Sequence, residues 1–415
     1  MKTLLSFALL LSATFCLAAP PAAKDSPESK KAQELVLQLG SKKYRDREKA
    51  AAELIQMGRS AKEALIAGKN HSDSEVSTRS QQLLPQALAL DLMYRIDRFV
   101  KDTDGKMDHD LPMLKVYREK IGTDENSRKL FAEMLKVNGA LLEMVEEEPT
   151  KVTEQIQRRF QEMYQEMFGN QFGGFRGGYQ PGALNPHELC CILFASASPA
   201  YKPKQPDWML SNLYTQQNFT NHLKDEKAGS AYRKVFFTYL DARMDDNTIN
   251  QCVWMLTQHK IKEGADIVAK ALKEGKASQV YTKASAMCCV GTLGNKSHLP
   301  VFEMLLKDDT QVQAFNIGRG QRGEIKIKDV ALAMTIYLSG KNPKDFGFTM
   351  WNVYPNQLIQ YHQLGFGTPE DRASTFKKWE EEVKKPAVKK EEPKKEDPKT
   401  VKPPQVNPPK VDPKK

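Results

Sequence analysis

The chain has 415 residues, of which 27% are charged and 40% hydrophobic, and a formal net charge of +10. The charge is concentrated in the C-terminal tail, where eleven Lys stand against five Asp or Glu from Lys384 to Lys415, so +6 sits there and the remaining body is close to neutral. A specific nucleic-acid partner is therefore not expected, and beyond the N-terminus no run approaches the ~18 apolar residues that cross a bilayer, so no transmembrane segment is expected either.

Lys2 precedes an apolar run from Leu4 to Leu17 that ends in Cys16-Leu17-Ala18-Ala19-Pro20. This is the pattern of a signal peptide over residues 1–18, with small residues at the first and third positions before the cut and Pro20 disfavouring a cut after Ala19. Cys16 raises a lipoprotein reading, but Ala13-Thr14-Phe15 lacks the leucine and small residues of a lipid-attachment site. The mature chain is expected to be periplasmic or extracellular. A short linker over 19–27 follows.

Residues 28–168 read as an N-terminal helical domain. Ala32, Leu35, Val36 and Leu39 lie on one helix face, and a second helix runs from Tyr44 to Met57. Its face of Tyr44, Arg47 and Ala51 recurs 32 residues later as Val76, Arg79 and Leu83, and Ala61, Ala64 and Leu65 lie on a short helix between. A period of this length marks stacked helical units, each too small to bury its apolar face alone. Ser72 and Glu75 form a candidate capping box ahead of Val76. Leu130, Met134, Val137, Leu141 and Val145 keep a helical stripe, as do Val152, Ile156, Phe160, Met163 and Met167, although 92–168 departs from the repeat spacing and reads as a separate bundle or a distorted repeat.

Residues 169–186, with six glycines, read as a linker or surface loop. Residues 187–383 are a second helical domain, with faces built from Val235, Phe236, Tyr239 and Leu240, from Ile249, Val253, Trp254 and Leu256, and from Ile267, Ala271 and Leu272. Removing Cys16 leaves Cys190, Cys191, Cys252, Cys288 and Cys289, an odd number on apolar helical stretches, read as core residues with one bridge between the vicinal pairs left open. A small β-hairpin insertion is expected near 311–328, because VQAFNI and EIKIK flank a glycine turn. Residues 384–415 hold eight prolines and almost no large apolar side chain, so they are expected to be disordered. Their lysines suggest weak, salt-sensitive contact with anionic envelope polymers.

The segments YRDREKAAAELIQMG, SDSEVSTRSQQLL, KASAMCCVGTLGNKSHLPVFEMLLKDD and KDVALAMTIYLSG, about a quarter of the chain, resemble HEAT-type repeats, particularly those of exported bacterial proteins of uncharacterised role. The resemblance implies an all-α chain, an α-solenoid of HEAT-like repeats in two helical units, used for protein contacts. DFGF at 345–348 and LGFGTPEDRASTFKKW at 364–379 suggest an element that closes the last repeat.

Four patterns approach known chemistry without completing it. Gly318-Arg319-Gly320-Gln321-Arg322-Gly323 has the letters of a dinucleotide fingerprint but is followed by a strand pattern, not a helix. Asp102, Asp104, Gly105 and Asp108 fit part of a calcium loop, whose first and twelfth places are Val100 and Leu111. His187-Glu188 resembles one histidine-glutamate pair of the HEAT-repeat iron hydroxylases, which use several, and Cys191 stands where a zincin needs its second histidine. Trp351, Tyr354 and Phe366 could form an aromatic sugar site.

No catalytic, cofactor-binding or metal-binding residue is assigned, and no cofactor is expected. The expected function is an exported, non-catalytic repeat scaffold that binds a protein partner or an envelope polymer. Two alternatives stand beside it: a HEAT-type enzyme such as a cofactor lyase or metal-dependent oxygenase, and a structural envelope component held by the tail. N-terminal sequencing of the protein recovered from an expressing bacterium is expected to begin at Ala19; an intact Met1 would overturn the exported reading.

Overall fold

A computed structural model describes residues 26–168, 184–204, 208–318, 321–354 and 357–384. The expected signal peptide, nearly all of the expected linker, positions 169–183 of the Gly-rich stretch and the tail beyond Lys384 lie outside the described residues. The described chain is mostly helical and carries one two-stranded antiparallel sheet. No helix among the described residues is long and apolar enough to cross a membrane.

The N-terminal elements are α1 (Pro27–Gln38), α2 (Tyr44–Met57), α3 (Lys62–Lys69) and α4 (Ser74–Lys101). The Ser26 side chain accepts the Ser29 amide at 3.1 Å, and Pro27 occupies the first turn, where its missing N–H costs nothing. At the start of α4 the cap is Asp73 rather than Ser72. The helix begins at Ser74, so Ser72 stands one residue too early, and Asp73 Oδ1 accepts the amides of Glu75 at 2.8 Å and Val76 at 3.4 Å. The inner faces of these helices form one core of Ala32, Leu35, Val36, Leu39, Ala51, Leu54, Ala64, Leu65 and Val76. Each larger aliphatic side chain taken from water there contributes about 1.5–3 kcal/mol.

Neighbouring helices meet in a fixed register. Ser60 Oγ donates to Glu28 Oε2 at 3.2 Å, and a Cβ built on Gly68 would come within 2.8 Å of Val36 Cγ1 and 2.3 Å of Ser80 Oγ. Both 28/60 and 36/68 are 32 apart. The short distances explain why a glycine stands at 68: any side chain would force α3 away from α1 and α4.

The chain continues through α5 (Leu114–Lys120), α6 (Glu125–Glu147), α7 (Val152–Phe168), α8 (Pro186–Ser196), α9 (Trp208–Tyr214), α10 (Gln217–Lys224), α11 (Gly229–Arg243), α12 (Asp246–Gln258), α13 (Gly264–Lys273) and α14 (Val280–Leu293). Here the 32-residue register returns. Asp246 accepts from Ser278, Asn250 Nδ2 donates to Thr282 Oγ1 at 2.9 Å, Thr257 Oγ1 lies 3.8 Å from Cys289 Sγ, and His298 Nε2 lies 3.1 Å from Asp266 Oδ1. Because 250/282 and 257/289 both match, α12 and α14 run parallel.

Three positions on the expected faces point outward: Tyr44 is 66% exposed although its counterpart Val76 is buried, and two more lie on later stripes. Val137 is 38% exposed because Asn138, at φ −151° and ψ 49°, breaks α6 into two segments and rotates the stripe between them. Trp254 is 59% exposed although Val253 and Leu256 beside it are buried. Leu92 falls within α4, and α6 packs along both α4 and α8, so the middle region is not set apart from its neighbours.

The compact division of the chain falls away from the Gly-rich stretch. One unit comprises Met1–Val301 with Val353–Ile359, and the other Phe302–Asn352 with Gln360–Lys415. α6 and α8 pack together across 169–183, which places the helices on either side of that stretch in the same unit.

In the second unit β1 (Gln311–Gly318) pairs antiparallel with β2 (Gln321–Lys326), which leads directly into α16 (Ile327–Leu338), numbered after the short α15 (Leu299–Glu303). The hairpin thus forms where it is expected, with residues 327 and 328 already helical. α17 (Pro369–Lys384) packs on α16. Their joint is ionic: Arg372 Nε donates to Asp329 Oδ1 at 2.9 Å and to Oδ2 at 3.2 Å, and Arg372 Nη2 reaches the Glu324 carbonyl at 3.2 Å. Asp329 is fully buried and also accepts the Lys326 amide at 2.8 Å.

Burial pushes the Asp329 carboxyl above its ordinary value despite the opposing pull of Arg372. The folded form therefore holds the proton more tightly than the unfolded chain, and this group's contribution to stability declines as pH rises through the folded value. Arg372→Ala removes the neutralising partner and is expected to cost the second unit about 3–5 kcal/mol at neutral pH. The deficit should shrink toward about pH 4, as Asp329 takes up a proton. Denaturant unfolding at the two pH values checks this, and an equal deficit at both would overturn it.

Candidate functional site

The Asp102 loop is an internal fastener. Asp102 caps the C-terminus of α4, is buried, and accepts from His109 Nε2 at 3.0 Å, Arg118 Nη2 at 3.2 Å and the amides of Gly105 and Met107 at 3.1 Å each. The His109 hydrogen bond holds this carboxylate below the usual carboxylate range, with the two amides assisting. Asp104 and Asp108 are exposed, and Asp108 Oδ1 accepts the Asp110 amide at 2.9 Å. The three carboxylates therefore do not converge on a common centre.

His187 and Glu188 part company at the start of α8. Glu188 forms a two-pronged pair with Arg159, at 2.6 Å from Nε to Oε1 and 3.0 Å from Nη2 to Oε2. His187 sits 6.4 Å from the His222 ring and 6.2 Å from that of Tyr232, while His222 stacks on Tyr232 at 4.6 Å. Burial lowers the His187 pKa, favouring the neutral ring. No group of three or more His, Cys, Asp or Glu among the described residues could hold a metal ion.

The glycine fingerprint lies in the hairpin. Gly318 ends β1, Arg319 and Gly320 lie outside the described residues, and Gln321 opens β2. A Cβ on Gly323 would lie 2.4 Å from Phe315 Cζ and 2.8 Å from the Phe366 carbonyl, so this glycine makes room for an aromatic ring and the chain behind it. Trp351 and Phe366 are likewise core residues, their rings tilted against Tyr337 at 5.2 Å and Phe348 at 5.0 Å, whereas Tyr354 is exposed.

The five cysteines are free and buried. Cys191 Sγ donates to the Asn138 carbonyl at 3.3 Å, supplying a partner to the backbone at the α6 break. Desolvation pushes every thiol up, Cys289 to about 12, so none is a ready nucleophile.

A groove of about 750 Å³ opens between α5, α6, α8, α11 and α13. Its floor includes Val116, Val145, Phe194, Phe237 and Ile267, and Lys120, Lys234, Lys270 and Asp241 stand among its lining residues. The lysines hold exposed ion pairs: Lys120 with Glu119 at 3.5 Å, Lys234 with Asp124 at 3.4 Å, and Lys270 with Asp241. Such pairs contribute only about 0–1 kcal/mol, so an incoming carboxylate can replace the resident one at small cost. The groove thus combines apolar lining residues with three lysines against one aspartate, each lysine held in an exposed, exchangeable pair. A second cavity of about 530 Å³ beside α1 and α3 is lined by Glu28, Glu63, Arg59 and His71, two carboxylates against one guanidinium.

None of the groove residues is marked by a motif. They are gathered from five helices between Met113 and Lys270; Val145 and Ile267 fall on helical faces read from the sequence and Phe237 adjoins the Val235 and Phe236 face, but nothing in the sequence marked the lysines or joined these residues into one groove. Comparisons of the chain with the profiles of known protein families, with curated proteins and with solved structures find no match.

The cysteines supply a direct test of this packing. Ellman's reagent is expected to find no reactive thiol among the five in the native mature protein, and five after denaturation in guanidinium without reductant. A missing pair of thiols in the denatured sample would instead reveal a disulfide.

Proposed function

We propose that the protein is an exported, non-catalytic HEAT-like repeat scaffold, an α-solenoid in its repeated parts, that binds a protein partner. The observation that carries this reading is the 32-residue register, met between α1 and α3 and again between α12 and α14. Parallel helices related by a constant sequence offset are what stacked two-helix units produce, and such stacks serve chiefly as extended binding surfaces.

The groove beside α11 is the proposed contact. Its apolar floor favours one face of an amphipathic segment, and Lys120, Lys234 and Lys270 favour acidic residues along that segment's edge. The proposed ligand is therefore an acidic amphipathic segment of another envelope protein. The buried carboxylates of Asp102, Glu188 and Asp329 are each engaged by an arginine, which supports a structural role for them over an acid-base one.

Affinity capture from a native envelope extract tests this with two baits, the mature protein and its Lys234→Glu/Lys270→Glu variant. A stoichiometric protein retained by the first and reduced about tenfold or more on the second is the expected result, since reversing two rim charges opposes an acidic partner. Identical capture by both baits would remove the groove from the proposal. One equivalent of metal or chromophore in the eluate would favour the enzyme reading instead.

A further inference from the structure

The two edges of the hairpin are treated differently. On the outer side of β2, Glu324 donates its N–H to the Phe366 carbonyl at 3.0 Å and accepts the Phe366 N–H at 3.0 Å. That edge is covered. Since both backbone groups of Glu324 point away from β1, its cross-strand partner Ala314 belongs to a pair that exchanges no hydrogen bonds. The N–H and C=O of Ala314 must then point out of the opposite edge, and no backbone group among the described residues meets them there. The side chains of Gln311, Gln313, Ala314 and Asn316 are exposed.

Exposed sheet edges are ordinarily protected by lysine, proline or an inward-pointing charge. From Gln311 to Gly318 the strand reads QVQAFNIG, without a charge or a proline, whereas β2 carries Arg322, Glu324 and Lys326. An uncharged strand can meet its own copy without like-charge repulsion.

We propose that the free edge of β1 pairs antiparallel with β1 of a second copy of this chain. A two-fold axis through Ala314 lets each Ala314 N–H donate to the Ala314 carbonyl of the other copy. It also sets Gln313 opposite Phe315 of the second copy and Val312 opposite Asn316. Charge neutrality selects this occupant, because the same strand faces itself across the axis and every juxtaposition is neutral. A ribbon of this length buries less than the about 1,600 Å² of a standard stable interface, so the dimer is weak and concentration-dependent.

Sedimentation velocity of the full mature chain over a dilution series tests the pairing. The wild type is expected to be largely dimeric at about 100 µM and monomeric at about 1 µM, the behaviour of a micromolar interface. Ala314→Pro removes the outward N–H without breaking a bond to β2, and Ala314→Lys places a like charge on each side of the axis. Both are expected to weaken dimerisation at least about tenfold, with the melting midpoint of the monomer retained. Should the proline disturb the hairpin, the lysine variant carries the test. A monomeric wild type at every concentration, or a dimer that Ala314→Lys leaves unchanged, overturns the proposal.

Discussion

The constraint shared by two parts of the helical packing is an offset of 32 residues, met between α1 and α3 and again between α12 and α14. Once Val36 is pressed against Gly68 and Asn250 is bonded to Thr282, the segments between them have little freedom, because each must return the chain over a fixed distance. The contacts that hold the offset are chemically varied: a hydroxyl on a carboxylate at 28/60, an amide on a hydroxyl at 250/282, a hydroxyl beside a thiol at 257/289, and an imidazole beside a carboxylate at 266/298. What is common to them is position rather than residue type. A backbone spacing can persist after the side chains that realise it have diverged.

This difference explains what was legible in the sequence. The N-terminal period could be read because α2 and α4 both retain one buried face and one polar face, so Ala51 and Leu83 fall at equivalent places and are both buried. The same offset between α12 and α14 was not legible. Trp254 and Ala286 are 32 apart, yet the tryptophan is 59% exposed and the alanine is fully buried. α14 has α12 and α13 against it, and its Thr292 hydroxyl accepts the Ile359 amide at 3.2 Å from the 353–359 segment. A helix covered on several sides loses its polar stripe, and with it the periodic signal by which a repeat is recognised.

The candidate site was less legible still, for a geometric reason. Motif reading detects residues that act together because they are close in sequence, as the hairpin was detected from strand patterns flanking glycines. The groove is assembled by α5, α6, α8, α11 and α13, and its lysines lie 114 and 36 positions apart along the chain. Conversely, Asp102, Asp104 and Asp108 are close in sequence, but the fold buries the first and leaves the other two at the surface. Local spacing gave proximity without convergence.

The three buried carboxylates show a further division of labour. Asp102 ends α4, while Glu188 and Asp329 lie in the first turns of α8 and α16, where the helix dipole favours negative charge. Each is joined to an arginine from another helix: Arg118, Arg159 or Arg372. Breaking such a pair leaves a charge in a poorly solvated place, so these side chains are bound to the fold and are not free to exchange partners. The groove lysines have the opposite character. Their carboxylate partners are exposed, their pairing is weak, and exchange with an external anion leaves little charge stranded. Burial thus commits the arginines to holding helices together, and exposure leaves the lysines able to exchange their partners.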